Sequence, residues 1–363
     1  MIIRETKFKD YRRIKNLVNK NNLNIYRYKN WKKIWDANPL LLNQNINWKK
    51  GWVIEYKNRI VGCLSSIPTQ YFLNKEKFNG SIISCWVVDA KYRAHSIKLI
   101  NEFNLQKKID FFIATSSNFR TATTLKAFKW IEMPNKDFNS KLNIIFNFEN
   151  VYNSYLKNKH FFYKLFYKLF STTINFFIKN KINFWKKFKL KNSLEIYKSF
   201  NNEFDLFWKD FYIKRKNKFL FNRSSEWMNW HFNPYLNKKN FFIIVKKNNN
   251  KILGYAVCLV KDDKVNNIKK AILVDICTYN KNKKIYFELI LSSIKEAFKL
   301  KSDLFQMIGF DKKKREQMLK FRPFVTKNKF APYLFKCINP KLKKILNKKK
   351  YWEPCSIDGD SIY

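Results

Sequence analysis

The chain has 363 residues, with 74 Lys and Arg against 27 Asp and Glu and a formal net charge of +47. That length allows two ordinary domains, and a charge that basic points to a polyanionic partner: nucleic acid, an anionic membrane or an acidic substrate. Only three His, and six Cys with no Cys-x-x-Cys pair, argue against a metal site, and no stretch of about 18 residues is free of charge, which argues against a spanning helix.

Part of the charge has a second explanation. Lys, Asn, Ile, Phe and Tyr are abundant and Gly is only 6, a bias expected of codons drifting towards A and T. Such drift raises Lys without a selected partner, but it should raise Glu too, and acids are scarce. Both origins stay open.

In chain order, "MIIRETKFKDYRRIK" is charged from its fourth residue and lacks the apolar centre of a signal peptide. It reads as a strand and a helix. "NWKKIWDANP" (30–39) is a second, aromatic-rich helix. A β-hairpin turns at "YKNR", with the strand "NRIVGCLSS" (58–66) on its far side. A buried strand, "SIISCWVVD" (81–89), runs into a charged turn and a helix over 95–108. A second buried strand, "IDFFIATSS" (109–117), leads to a helix over 120–128. Cys63, Cys85, Cys258 and Cys277 sit inside apolar runs, as buried reduced thiols of an intracellular, cytoplasmic protein would.

Residues 160–191, "HFFYKLFYKLFSTTINFFIKNKINFWKKFKLK", alternate aromatic clusters with Lys. Two readings fit: an inter-domain helix packed on a domain, or an interfacial helix on an anionic membrane, at the inner face, with Lys snorkelling.

The pattern then recurs. "EWMNWHFNP" (226–234), "NKILGYAVC" (250–258), "KAILVDICT" (270–278) and "SDLFQMIGF" (302–310) match the earlier segments in the same order, about 190 residues on. A helix over 283–300 has a broad apolar face. The expectation is an α+β protein with mixed sheets, built as two tandem copies of one unit. The expected division is 1–150, a linker 151–192, a second copy 193–340 and a tail 341–363.

The order hairpin, strand, "VDAKYRAHS", helix, strand, "TSSN", helix resembles the GNAT superfamily of acyl-CoA N-acyltransferases. The resemblance implies a central strand that splays from its neighbour and pairs with acyl-CoA, acetyl-CoA above all, through Trp86, Val87 and Val88. The turn Arg93, Ala94, His95, Ser96 and Ile97 would present amides to the pyrophosphate at a helix N-terminus. Ser96 and Lys98 stand where that family usually has glycines, and Lys98 either points away or blocks the cofactor. Ser117 and Asn118 would flank the thioester, or simply cap the following helix.

The second copy has no recognisable phosphate turn. Its aromatic block and the tail "WEPCSIDGDSIY" resemble tandem, Fem-like N-acyltransferases of bacterial surface-polysaccharide clusters. Asp275, inside an apolar strand, would be a base with a raised pKa, or would pair with Arg223. Arg223, Trp227 and Trp230 would form an acceptor pocket or pack as core. Asp358 and Asp360 would bind the acceptor or lie in a disordered end. The implied function is acyl transfer from acyl-CoA, without metal, to an amine-bearing small molecule or lipid-linked sugar. The alternative is an inactive scaffold of the same fold binding nucleic acid or an anionic membrane. A splayed central strand beside an open slot favours the enzyme. A continuous sheet with Lys98 in the slot favours the scaffold.

Overall fold

The computed structural model describes residues 1–44, 46–135, 138–155, 194–264, 266–280, 282–327 and 332–360, together with 171, 173–180, 183–185 and 187. The 160–191 stretch therefore lies largely outside the described residues. Within it, Trp185 is buried and meets Phe321 edge-on. Among the described residues, no helix is long and apolar enough to cross a membrane.

The first half runs β1 (Ile2–Glu5), α1 (Tyr11–Lys20), α2 (Tyr28–Asp36), α3 (Pro39–Gln44), β2 (Gly51–Tyr56), β3 (Arg59–Leu73), β4 (Glu76–Val88), α4 (Ser96–Asn104), β5 (Phe111–Ala114), α5 (Phe119–Ala127), β6 (Ile131–Glu132) and β7 (Ser140–Ile145), followed by α6 (Phe148–Tyr155). The second repeats it: β8 (Leu194–Tyr197), α7 (Asn202–Lys214), β9 (Leu220–Phe221), α8 (Ser225–His231), β10 (Phe241–Asn248), β11 (Lys251–Asp263), β12 (Ile268–Thr278), α9 (Lys283–Lys299), β13 (Leu304–Met307), α10 (Lys312–Leu319), β14 (Phe324–Lys327) and β15 (Leu334–Cys337), then α11 (Pro340–Leu346). The repeat read from the sequence is thus a structural repeat, and the fold is mixed α/β with two mixed sheets.

One sheet has the order β1-β2-β3-β4-β5-β15-β6, with β9 added to β3; the other runs β8-β10-β11-β12-β13-β7-β14. Each half donates its last strand to the other half's sheet. β15 pairs antiparallel with β5 and β6, and β7 pairs antiparallel with β13 and β14. The sheets therefore do not divide the chain at 150 or 193. β7 and β15 fill corresponding places, each antiparallel to the second strand of the other half's parallel pair. One continuous hydrophobic core runs through both halves.

Local chemistry sets the elements. β10 and the middle of β11 are buried on both faces, as central strands covered on both sides must be. Asn118, Asn282 and Asp311 accept backbone N–H bonds at the starts of α5, α9 and α10. Gly80 has no side chain because a Cβ there would strike the Phe111 ring at 2.3 Å. That close approach brings β4 against β5 where their pairing begins.

Candidate active site

β4 and β5 run parallel and pair at only three positions, Gly80 with Phe111, Ser81 with Phe112 and Ile82 with Ile113. Past Ile82 they separate, and β4 keeps a partner on its β3 side alone, through a bulge at Ser84–Val87. Cys85 sits in that bulge with φ +49°, a left-handed conformation that costs energy in a non-glycine residue. Its Sγ lies 4.0 Å from that of Cys63 on β3, and all six cysteines are free thiols.

The split opens into a cavity of about 350 Å³. One wall is apolar: Val18 from α1, Trp31, Ile34 and Trp35 from α2, and Leu23 and Ile25 between them. Its mouth is polar: Ser84 and Cys85 from β4, Ser116, Ser117 and Asn118 after β5, and Asp360 from the C-terminal segment.

That C-terminal segment is ordered by named contacts. Gly359 lies so close to Thr115 that a Cβ would come within 1.6 Å of its Oγ1. Ser116 Oγ donates to Asp360 Oδ2 at 2.8 Å, and Thr115 Oγ1 donates to Oδ1 at 3.2 Å. Burial raises the Asp360 carboxyl above the usual carboxylate range, against the lowering by hydrogen bonds from Ser116, Ser84 and Thr115. Ser117 Oγ is buried, lines the cavity and has no hydrogen-bond partner.

Of the residues predicted to hold acyl-CoA, Trp86, Val87, Ser117 and Asn118 line this cavity, and Val88 lies one residue further along β4. Arg93, Ala94, His95, Ser96 and Ile97 form the turn from β4 into α4, where Arg93, Ala94 and Ile97 are exposed and His95 and Ser96 half-buried. A 3-10 turn over Ala90–His95 runs directly into α4, and the Ser96 amide donates to the Arg93 carbonyl, so this turn presents Arg93 and His95 rather than a row of open amides. Lys98 is exposed and does not fill the slot. Asn118 also caps α5, accepting from the Thr121 amide at 2.9 Å.

Apart from Asp360, the predicted acceptor residues are elsewhere. Arg223 Nε donates to Asp275 Oδ2 at 2.9 Å, and the pair is 2% and 0% exposed. The raised pKa expected if Asp275 were a base is not found. Burial pushes its carboxyl up, but the Arg223 charge and hydrogen bond hold it below the ordinary range. Trp227 and Trp230 are buried, with their rings 5.5 Å apart. Asp358 is buried and accepts from the Cys355 amide at 2.9 Å. Arg223 also donates to Cys355 Sγ at 2.8 Å. The segment Trp352–Asp358 thus packs against β12 and its partners, and only Asp360 reaches the cavity.

Sequence reasoning missed Ser84, Ser116, Trp31, Trp35 and Cys85 as cavity residues. A signal was present for Ser84 and Ser116, two hydroxyls interrupting apolar strands. None marked the tryptophans, whose helical spacing is that of ordinary core.

No protein-family model matches the sequence, and no curated protein matches it. Solved structures do. N-myristoyltransferase of Saccharomyces cerevisiae with bound myristoyl-CoA superposes with a TM-score of 0.59 at 14% identity, over 92% of this chain and 82% of that one. A GCN5-related N-acetyltransferase from Anabaena variabilis superposes with a TM-score of 0.54 at 10% identity, over 93% and 73%. At these identities the likeness is one of fold, and the fold is that of the GNAT-type N-acyltransferases.

Proposed function

We propose that this protein is an acyl-CoA-dependent N-acyltransferase. It moves an acyl group, acetyl in the simplest case, onto the amine of an acceptor such as an amino sugar in cell-surface polysaccharide synthesis. The observation that carries the reading is the open split between β4 and β5, with a carboxylate and an unpartnered hydroxyl at its mouth and an apolar cavity beneath.

The open edge of β4 after Ile82 offers backbone groups to an extended amide-bearing arm. The exposed Arg93, in the turn that leads into α4, offers positive charge to its phosphates. Asp360 takes the proton that the attacking amine must lose, and burial, by raising its carboxyl above the usual carboxylate range, makes it a stronger base. As the new C–N bond forms and the C–S bond breaks, the free Ser117 hydroxyl donates a hydrogen bond to the negative charge that develops. The leaving thiolate needs little more, since a free thiol already ionises with a pKa near ~8.5.

Calorimetry with acetyl-CoA and a longer acyl-CoA tests the reading. Micromolar binding by wild type, lost in Arg93→Ala, is expected. With an amine acceptor, Asp360→Asn should lower kcat by about 10²–10⁴ and leave acyl-CoA affinity unchanged. The acidic limb of the kcat profile should disappear in that variant. No binding by wild type at millimolar ligand would sink the proposal.

A further inference from the structure

The second half has a counterpart of the same cleft. β12 and β13 pair from Lys270–Leu304 to Leu273–Met307 and then separate. Here Asp275, Arg223 and Cys355 occupy the gap, so an extended arm has no room. In front of this plug, between the N-termini of α9 and α10, a cavity of about 640 Å³ remains.

Its lining is strongly basic. Lys218, Lys283, Lys312, Lys313, Lys314 and Lys349 converge on it from four separate chain segments. Three carboxylates face them, fewer than the lysines, and two are shared with other groups. Asp311 Oδ1 accepts from the Lys313 and Lys314 amides at 2.8 and 3.2 Å, and Glu353 lies 3.4 Å from Arg215. Glu316 is the third.

Lys314 is the telling member. Its side chain is only 3% exposed, and Nζ has no hydrogen-bond partner. The nearest carboxylate oxygens are 3.4 Å away on Glu353 and 4.0 Å away on Asp311, too far for the short bond an ammonium normally makes. A buried ammonium with unused donors is costly. The buried Gln317 side-chain oxygen, also on the wall, has no donor. An oxyanion would satisfy the first, and a hydroxyl of the same ligand the second. The starts of α9 and α10 border the cavity too, the first capped by neutral Asn282 and the second by Asp311.

We infer that this cavity is a second ligand site, distinct from the acyl-CoA cleft, that binds a diphosphate carrying a hydroxylated group: a nucleoside or sugar diphosphate. The blocked gap excludes an acyl-CoA arm, and the lysines, the Lys314 ammonium and the Gln317 oxygen select the phosphates and a hydroxyl.

The test uses the full chain with Arg93→Ala, so that the first-half phosphate turn is disabled. Inorganic pyrophosphate and UDP are titrated calorimetrically at low and moderate salt. One saturable site is expected, with UDP at least as tight as pyrophosphate. The exposed triple variant Lys283→Ala/Lys312→Ala/Lys313→Ala should weaken both ligands at least tenfold with an unchanged thermal midpoint. Lys314→Gln should do the same to pyrophosphate. A control removing three exposed lysines elsewhere, Lys7→Ala/Lys9→Ala/Lys15→Ala, should leave affinity within about twofold. Equal losses in the control would reduce the binding to general attraction by a +47 chain and overturn the proposal. So would the absence of a saturable site. The inference stands apart from the acyltransferase reading, which fails only if wild type does not bind acyl-CoA.

Discussion

In the first half, Ser84 stands just past the last β4–β5 pair, opposite Ser65 of β3, at the mouth of an open cavity. In the second half, Asp275 stands at the same register, opposite Val257 of β11, and is locked against Arg223. The two gaps have one backbone geometry and two fates. A splayed pair of strands leaves backbone polar groups without a neighbour, and those groups must be satisfied by something. The second half fills its gap from within, with a buried ion pair and the segment Trp352–Asp358. The first half leaves its gap to a ligand. Since the plugging segment continues into Asp360, filling one gap also furnishes the other.

The largest test of this contrast removes the plug. Arg223→Ala leaves the Asp275 carboxylate buried without its partner, which should cost about 3–5 kcal/mol. Urea denaturation would measure it. Asp275→Ala in the same chain should restore part of the loss, because no orphan charge then remains. Acyl-CoA affinity of the folded protein should hardly change, since Arg223 does not line the first cavity. A cost under about 1 kcal/mol would mean that the pair does not hold the gap closed.

Asp358 gives the next effect. Burial pushes its carboxyl up to about 6, with Arg223 and the Cys355 amide opposing. Because the folded pKa lies above the unfolded value near ~3.9, the ionised carboxylate destabilises the fold above pH 6. That penalty fades as pH falls through about 6 towards 4. Asp358→Asn keeps an oxygen for the Cys355 amide and removes the charge. It should stabilise the protein at pH 7.5 by about 2 kcal/mol, and by almost nothing at pH 4, as followed by thermal unfolding at the two pH values. A gain that grows towards low pH would reverse the sign and reject the account.

The repeat and its elements were legible because aromatic-Asn-Pro, hairpin-Gly and paired apolar strands recur in fixed order. The exchange of β7 and β15 was not legible. Alternation tells which face of a strand is apolar, but not which of two similar sheets receives it. At the site, the turn from Arg93 to Ile97 was readable from its position between strand and helix. Asp360 was visible only as an acid in a polar tail, since its seat depends on Gly359 meeting Thr115, a contact 244 residues apart in sequence. Asp275 misled for a physical reason. A carboxylate in an apolar strand has a raised pKa only if no cation is buried beside it, and Arg223 comes from a distant loop.

The smallest effect separates capping from ligand contact. Asn118 and Asp311 occupy equivalent positions, each capping the helix after the second splayed strand. Replacing either by Ala should cost about 1 kcal/mol of stability. Their consequences for binding should differ. Asn118 lines the first cavity, so Asn118→Ala should also weaken acyl-CoA severalfold, whereas Asp311→Ala should leave that affinity unchanged. Asn118→Ser supplies a competent cap without the amide. If it restores stability but not affinity, the Asn118 side chain touches the ligand; if it restores both, Asn118 is a cap and the first cleft owes its binding to β4 and Arg93.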